Sequence, residues 1–177
     1  MSTSGDTAPA EVRFCSSCGA AMTTRLLGEK LRRGCSSCGF VHFPDPKVGV
    51  GVVIVHAGEL LLVRRSMAPE RGKWSIPGGF LDHGEDPEVV AVRELREETA
   101  LEVEIEGLVD VYFNAPASGA PGASLFVLYA GRYQAGTPRA GDDADAVGFF
   151  GPDQLPELAF TSTAHAVRRW LDDRAGG

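Results

Sequence analysis

The sequence predicts a mixed α/β fold that a small cysteine-rich segment precedes. Three observations support this prediction. Runs of β-branched residues of strand length recur along the chain, one segment near the middle carries a clear helix start signal, and all four cysteines fall in the first forty residues. With 177 residues, 44% of them hydrophobic, the chain has room for one main domain and a small appendage.

We expect three segments: a flexible tail over 1–12, a cysteine-rich unit over 13–43 and the main domain over 44–177. The tail is small and polar, without the charged head and apolar stretch of a signal peptide. No apolar run approaches the length of a membrane span. These features predict a cytoplasmic protein that does not bind membranes.

The net charge of −7 is unevenly distributed. Residues 1–47 carry six basic and four acidic side chains (+2), whereas residues 48–177 carry eleven and twenty (−9). An acidic body repels a polyanion unless a metal ion mediates, which argues against a general nucleic-acid binder. The basic residues of the first segment are interpreted as solubilising charge.

The cysteines form two Cys-x-x-Cys pairs separated by sixteen residues: Cys15 with Cys18, and Cys35 with Cys38. This spacing is typical of a four-cysteine zinc site in which an intervening hairpin brings the pairs together. Disulfides are the alternative, but they are rare in the cytoplasm. A site closed by four thiolates predicts a structural zinc that stabilises a segment too small to fold alone.

The main domain begins with a predicted hairpin, in which strand 48–55 is followed by a turn over 56–59 and a returning strand over 60–65. Residues 101–106 alternate apolar and charged residues, as in a half-buried strand that 110–113 continues. A loop over 114–123 precedes strand 125–134, strand 147–150 follows, and a last helix ends near residue 174. We expect that helix to bury Ala164, Val167 and Leu171.

A helix is predicted over residues 87–99, because Asp86 is a good N-cap and Pro87 suits the first helical position. At about 100° per residue, three glutamates share one face of this helix: Glu94, Glu97 and Glu98. Three apolar residues are expected on the roughly opposite face: Ala91, Val92 and Leu95.

Like charges three and four residues apart destabilise a helix, and divalent cations that prefer oxygen ligands remove that penalty. The alternative is an ordinary solvated acidic face. The turn Ile76-Pro77-Gly78-Gly79 favours the cation, since its glycines let backbone groups approach a ligand closely.

Seven residues match the signature of the Nudix hydrolases in type and in spacing, so the chain resembles that family. They are Gly79, Glu85, Arg93, Glu94, Leu95, Glu97 and Glu98. The family signature ends in glycine and an aliphatic residue, whereas this chain has Ala100 and Leu101. An alanine in a left-handed conformation costs about 1–2 kcal/mol, so the departure concerns the turn after the helix.

The resemblance implies a Nudix α/β/α sandwich, in which a curved mixed sheet lies between helices. It also implies that the protein binds Mg²⁺ or Mn²⁺ through the three glutamates and the Gly78 carbonyl. It also implies that Glu85 pairs with Arg93. Metal ions in such a site neutralise charge on a pyrophosphate and activate a water for in-line attack. The resemblance also implies an acidic base for this water, for which we expect Asp143, from the acidic loop before strand 147–150, or else Glu98. An ordinary solvated turn is the alternative interpretation of that loop.

The cysteine-rich unit makes the chain similar to the zinc-ribbon Nudix hydrolases, which include NADH, FAD and ADP-ribose pyrophosphatases. NADH pyrophosphatases carry a Ser-Gln-Pro-Trp-Pro-Phe-Pro type motif downstream of the signature, and this chain has none. Pro116 and the C-terminal region resemble the FAD and ADP-ribose group. Four residues are candidate substrate contacts, each with an ordinary structural role as the alternative: Arg64, Arg65, Phe160 and Ser162.

The resemblance therefore implies a hydrolase that splits a nucleoside diphosphate linked to another moiety, with FAD or ADP-ribose favoured. NADH or nucleotide-capped RNA is the alternative substrate. A non-catalytic nucleotide sensor or nucleic-acid-binding module is the alternative from another class, which the intact glutamates disfavour. Family precedent also implies a homodimer.

Overall fold

The computed structural model describes residues 12–114 and 123–176. The chain divides into two compact units, and the division falls between Pro46 and Lys47. In the described ranges, neither helix has the length and apolar character needed to cross a membrane. Residues 1–11 of the predicted tail over 1–12, and Pro116, lie outside the described residues.

The first unit is a three-stranded antiparallel sheet with strands β1 (Met22–Leu27), β2 (Lys30–Cys35) and β3 (Val41–His42). Gly28 takes a left-handed conformation (φ 65°) in the turn between β1 and β2, where a side chain would be strained. Among the described residues, the buried hydrophobic core of this unit consists of Cys15, Met22 and Cys35. So small a core predicts that this unit needs its cysteines to fold.

The second unit is built on a seven-stranded mixed sheet. Its strands are β4 (Lys47–His56), β5 (Glu59–Arg65), β6 (Trp74–Ser75), β7 (Gly78–Phe80), β8 (Glu102–Asn114), β9 (Ser124–Ala135) and β10 (Ala144–Phe150). The order is β10-β5-β4-β9-β8, with β6 paired to β5 and β7 paired to β4. Strands β4 and β9 are parallel and the other pairs are antiparallel.

Two helices, α1 (Pro87–Thr99) and α2 (Thr161–Ala175), pack on separate apolar clusters. Val50, Val52 and Ile54 of β4 pack with α1, whereas Val53 packs with the α2 cluster. Alternate residues of one strand point to opposite faces, so the sheet lies between the two helices. The predicted α/β/α sandwich with a mixed sheet is confirmed.

Helix α1 begins as predicted, since the Asp86 carboxylate accepts a hydrogen bond from the Glu88 N–H at 2.9 Å and Pro87 is the first helical residue. It ends at Ala100, which adopts the left-handed conformation (φ 58°, ψ 19°) and donates its N–H to the Arg96 carbonyl. The alanine therefore keeps the turn that glycine usually forms at this position.

The predicted strands are present, and 101–106 and 110–113 belong to one strand, β8. Residues 107–109, which separate the two predicted segments, lie where the pairing of β8 with β9 is irregular, including an irregularity at Gly107 (φ 154°). A β-bulge interrupts the ladder without ending the strand, which the residue pattern alone does not reveal.

The predicted buried face is wrong for α1 and only partly correct for α2. Val92 is only half-buried, and Glu98 lies on the same buried face of α1 as Ala91 and Leu95. In α2 the prediction is correct for Val167, which is buried, and for Leu171, which is half-buried and packs against the α2 cluster, whereas Ala164 is only half-buried. The buried residues of α2 are Ser162, Thr163, Ala166, Val167 and Trp170. In both helices the buried residues recur with the predicted helical spacing, but the face that packs on the sheet is rotated about the helix axis from the predicted one.

Candidate active site and zinc site

The three signature glutamates lie in the last two turns of α1 with unequal burial. Glu97 is exposed, Glu94 is half-buried and Glu98 is only 6% exposed. A glutamate is rarely buried to this degree without a partner. The burial of Glu98 therefore marks this end of α1 as the candidate site.

The glycine turn supplies the partner of Glu98. The Gly78 N–H donates a hydrogen bond of 2.9 Å to Oε2 of Glu98. A Cβ atom at Gly79 would overlap the Glu94 carboxylate, and one at Gly78 would overlap the Val50 carbonyl. Both glycines are required for the helix carboxylates to approach the backbone of β7.

Arg93 lies beside these carboxylates and makes two ion pairs. It pairs with Glu85, as predicted, and with Glu94 at 3.2 Å. Glu85 also accepts a hydrogen bond of 2.8 Å from the Asp82 N–H. The hydrogen bond from Arg93 is the main reason that the pKa of Glu85 lies below its ordinary value. The pair anchors the loop before α1 to the helix.

Burial dominates the electrostatics of the site. It raises the pKa of Glu98 to about 8, and the nearby charges of Glu94 and Asp143 add to the effect. The Gly78 N–H and the charge of Arg65 act in the opposite direction. Burial also raises the pKa of Glu94. Carboxylates crowded in this way favour a cation that neutralises them.

The acidic loop before β10 lies against the C-terminal end of α1, where the Gly141 N–H donates to the Glu98 carbonyl at 3.2 Å. Asp143 itself is exposed, and its carbonyl accepts hydrogen bonds from the Ser66 N–H (2.8 Å) and hydroxyl (2.7 Å). The charge of Asp142 acts on Glu94, a neighbour that the sequence analysis missed. Only the loop's path along the helix reveals it.

The four candidate substrate contacts occupy different environments. Arg64 is paired with Asp145, with 2.6 Å between Nε and Oδ1, so its charge is already engaged. The Arg65 guanidinium lies over the Phe160 ring, 4.8 Å from its centroid. Ser162 is buried (5% exposed) in the first turn of α2. The structure thus brings together Arg65 and Phe160, near Glu98, and gives Arg64 a different partner.

The four cysteines of the first unit converge, with all four Sγ atoms within 4.8 Å of one another. The Sγ atoms of Cys15 and Cys38 are 3.6 Å apart, as are those of Cys18 and Cys35. A tetrahedron with Zn–S bonds of about 2.3 Å has edges of about 3.8 Å. The backbone N–H of Cys38 is the main group that lowers the pKa of the Cys35 thiol. The cysteines are free thiols, and their spacing fits a zinc ion.

Two family models match the chain. The model of the NUDIX domain covers residues 45–171, and that of the Nudix N-terminal zinc ribbon covers residues 13–43. The second range has the same bounds as the predicted cysteine-rich unit.

Curated relatives carry two kinds of name. An ADP-ribose pyrophosphatase of Methanocaldococcus jannaschii is 36% identical, over 65% of this chain and 68% of that protein. A NAD-capped RNA hydrolase NudC of Chromobacterium violaceum is 32% identical, over 92% of this chain and 59% of that protein. The chain spans less than two thirds of the length of this second relative.

A solved structure resembles the chain over almost its whole length. A NUDIX hydrolase from Nitrosomonas europaea has a TM-score of 0.81 and 31% identity, and the match covers 93% of each chain. The chain belongs to the NUDIX family of metal-dependent hydrolases that act on pyrophosphate bonds, and it carries the family's N-terminal zinc ribbon.

Proposed function

We propose that the protein uses Mg²⁺ or Mn²⁺ to hydrolyse the pyrophosphate bond of a nucleoside diphosphate linked to another moiety. The products are a mononucleotide and a second phosphate ester, and the preferred substrates are FAD or ADP-ribose. The observation that carries this proposal is the buried Glu98 carboxylate beside Glu94, held against the glycine turn of β7.

The donor set fits a hard divalent cation. Oxygen atoms of Glu94, Glu97 and Glu98, with the Gly78 carbonyl, would hold it. When bound, the metal supplies charge neutralisation on the pyrophosphate oxygens and a more acidic water. The Gly79 position supports this assignment, because any side chain there would fill the space that the Glu94 carboxylate occupies.

The chain's own residues orient these carboxylates. The Gly78 N–H fixes one oxygen of Glu98, and Arg93 fixes one oxygen of Glu94. Glu85 in turn holds Arg93 through a second ion pair. We propose that Arg93 and Glu85 act by positioning the metal-binding carboxylates for the reaction.

Asp143 is the proposed base that takes the proton from the attacking water. The negative charge of Asp143 raises the pKa of Glu98, so the two carboxyl groups interact electrostatically. Its exposure leaves it able to approach a bound substrate. Glu98 is the alternative, since a carboxylate with an elevated pKa is the stronger proton acceptor.

The relative named for ADP-ribose supports an ADP-ribose-like substrate. The relatives named as NAD-capped RNA hydrolases support NADH or capped RNA as the second candidate. The charge of −9 on residues 48–177 and the lack of the Ser-Gln-Pro-Trp-Pro-Phe-Pro type motif favour the first candidate. The proposal includes a structural zinc in the first unit, a cytoplasmic location and, by family resemblance, a homodimer.

The proposal is tested by incubating the protein with Mg²⁺ and FAD, ADP-ribose or NADH, and by separating the products chromatographically. We expect mononucleotide release from FAD or ADP-ribose faster than from NADH. Glu97→Gln should abolish turnover, whereas Glu102→Gln, an exposed glutamate at the start of β8, should not. Absence of turnover with every compound would refute the proposed hydrolase activity. If the protein still bound one of the compounds, that result would favour a nucleotide sensor.

A further inference from the structure

The hairpin of β1 and β2 in the first unit gathers positive charge on one of its faces. Residues 12–46 carry five basic and two acidic side chains (+3), whereas residues 48–177 carry −9. The strand register places Arg25 of β1 directly opposite Arg32 of β2. Lys30 lies two positions from Arg32 and therefore on the same face. We call these three cations, Arg25, Lys30 and Arg32, the basic face.

The basic face contains an unfavourable pair that the unit does not compensate. Like charges directly opposite each other on paired strands destabilise a sheet. In residues 12–114 and 123–176, no acidic side chain forms an ion pair with any of the three cations. The two acidic residues of 12–46, Glu29 and Asp45, are exposed. An anionic ligand on this face would relieve the repulsion between Arg25 and Arg32.

The neighbouring Arg33 shows how an arginine with a structural role is bound in this unit. Its guanidinium donates three hydrogen bonds of 2.6–3.1 Å, to Val12, Met22 and Thr24. Arg25 makes one long hydrogen bond, 3.4 Å from Nε to the Thr23 hydroxyl, and is exposed. No described hydrogen bond involves the Arg32 guanidinium. The donors of Arg25 and Arg32 are thus available to a ligand, unlike those of Arg33.

An exposed aromatic ring adjoins the basic face. Phe43, next to β3, is 58% exposed, and Cζ of Arg32 lies 4.6 Å from its ring centroid. Arginine and lysine bind phosphate groups, whereas phenylalanine rings and guanidinium planes stack on unpaired nucleobases. Inorganic phosphate or an acidic peptide would use the cations but not the ring. The combination therefore suits a ligand that carries both phosphates and free planar bases.

We propose that the basic face and Phe43 bind a single-stranded nucleic acid, with its phosphodiester chain on the cations and a base stacked on Phe43 or Arg32. A duplex fits less well, because its bases are already stacked on one another. The proposal gives the first unit a binding role in addition to the structural zinc. It does not rest on the proposed hydrolysis, since every contact that supports it lies within residues 12–46.

Binding is tested by fluorescence anisotropy with the full zinc-loaded chain, without added Mg²⁺. The probes are labelled 5′-hydroxyl oligouridine and oligothymidine, which contain no pyrophosphate, so failure to bind is distinguishable from failure to hydrolyse. We expect log K to fall against log[salt] with a slope of about −2, because three cations contact phosphates of a single strand. Binding of either probe supports the proposal, and their ratio shows whether the 2′-hydroxyl contributes. No binding of either probe at low salt, or tighter binding of the duplex with oligoadenosine, would overturn it.

Two variants separate the contributions of charge and ring. Arg25→Ala/Arg32→Ala should reduce the slope to about −0.7 and weaken binding about 25-fold at about 0.1 M salt, as expected for two lost phosphate contacts. Phe43→Leu should weaken binding about tenfold without changing the slope, because stacking is lost while the cations remain. Inorganic polyphosphate, which has no bases, should bind Phe43→Leu as it binds the wild type.

The matched control is Arg168→Ala, which removes an exposed arginine from α2 and should leave binding unchanged. Zinc content checks that each variant keeps the first unit folded. If the double variant loses zinc, Arg32→Lys replaces it; this variant keeps the charge but lacks the guanidinium plane, and should weaken binding to the oligonucleotides but not to polyphosphate. Equal affinity of wild type and these variants, or an equal loss in Arg168→Ala, would overturn the proposal. So would a dimer that the double variant abolishes, seen by sedimentation in a protein that binds no oligonucleotide.

Discussion

Glu98 is a carboxyl group that the fold removes from water although Glu94 and Asp143 are close enough to repel its charge. One N–H group, that of Gly78, compensates for this in part. A folded pKa of about 8 means that the metal-free protein retains a proton here near neutral pH. A divalent cation displaces that proton, so metal binding and pH are linked at this residue.

The metal-free protein should therefore lose stability as pH rises from about 4.5 to about 8. In this range folded Glu98 holds a proton that the unfolded chain has released, so the free energy of unfolding falls with pH. Urea unfolding at several pH values checks this, with zinc kept in place. Glu98→Gln should flatten the curve, and saturating Mg²⁺ should stabilise the wild type increasingly as pH rises. A curve that is the same in wild type and variant would contradict the assignment.

Gly79→Ala should reduce kcat/KM by about 100-fold, because its Cβ displaces the Glu94 carboxylate and a small displacement of a reacting group has effects of this size. The matched control is Gly151→Ala, where the nearest atom to the new Cβ is Gln154 Oε1 at 3.8 Å and φ is −70°. The measurement is steady-state kinetics at saturating Mg²⁺. Equal losses in both variants would show that the Glu94 contact has no special role.

At the residue scale the sequence singled out the glutamates of α1 as candidate ligands but did not predict how deeply each is buried. Helical periodicity places Glu94 and Glu98 on one face, yet it does not say which face meets the sheet. That orientation depends on Val90, Ala91 and Leu95, which pack against β4, and on the Gly78 N–H. Arg64 shows the same limit, since its partner Asp145 is 81 positions away in the sequence.

Helix α1 is positioned by its two ends. Its start is fixed by the Asp86 cap and by the Glu85–Arg93 pair, and its end by the left-handed Ala100. Both ends were predictable from sequence because caps are local, whereas the bulges of β8 and the buried stripe of α2 depend on packing partners distant in the chain.

Ala100→Gly should raise the free energy of unfolding by about 1 kcal/mol, because glycine adopts a φ of 58° without the steric penalty of a Cβ atom. Ala164→Gly, in the interior of α2, is the matched control and should lower it by about the same amount. Urea unfolding of the two variants at one pH gives both values. A destabilised Ala100→Gly variant would contradict the described end of α1.

Removal of zinc should unfold the first unit and leave the second folded, because the buried hydrophobic core described for the first unit consists only of Met22 and two of the cysteines, Cys15 and Cys35. A strong zinc chelator, followed by NMR, should collapse the amide dispersion of residues 12–46 alone. Cys35→Ser should reproduce this pattern, whereas Ser36→Ala, a change at a position between Cys35 and Cys38, should not. Unchanged amide spectra after zinc removal would contradict a structural role for the metal.

On the scale of the whole molecule, the fold class and both units were predictable because each unit carries a local sequence signature. The first unit carries two Cys-x-x-Cys pairs, and the second carries a helix with glutamates at the spacing of the Nudix signature. The order of the strands in the sheet was not predictable, since the parallel strands β4 and β9 pair residues 77 positions apart in the sequence, from Lys47 with Ser124 to Ile54 with Gly131. That pair places the Phe126 ring against Gly49 and Gly51 of β4.

The central claim is that Glu94, Glu97 and Glu98 bind the divalent cation that hydrolysis requires. Electron paramagnetic resonance of Mn²⁺ titrated into wild type and Glu97→Gln tests it most directly, with turnover measured on the same samples. The account predicts a bound Mn²⁺ signal in the wild type that is weakened in the variant in parallel with turnover. Equal Mn²⁺ affinity in the two proteins, or turnover without any divalent cation, would contradict it.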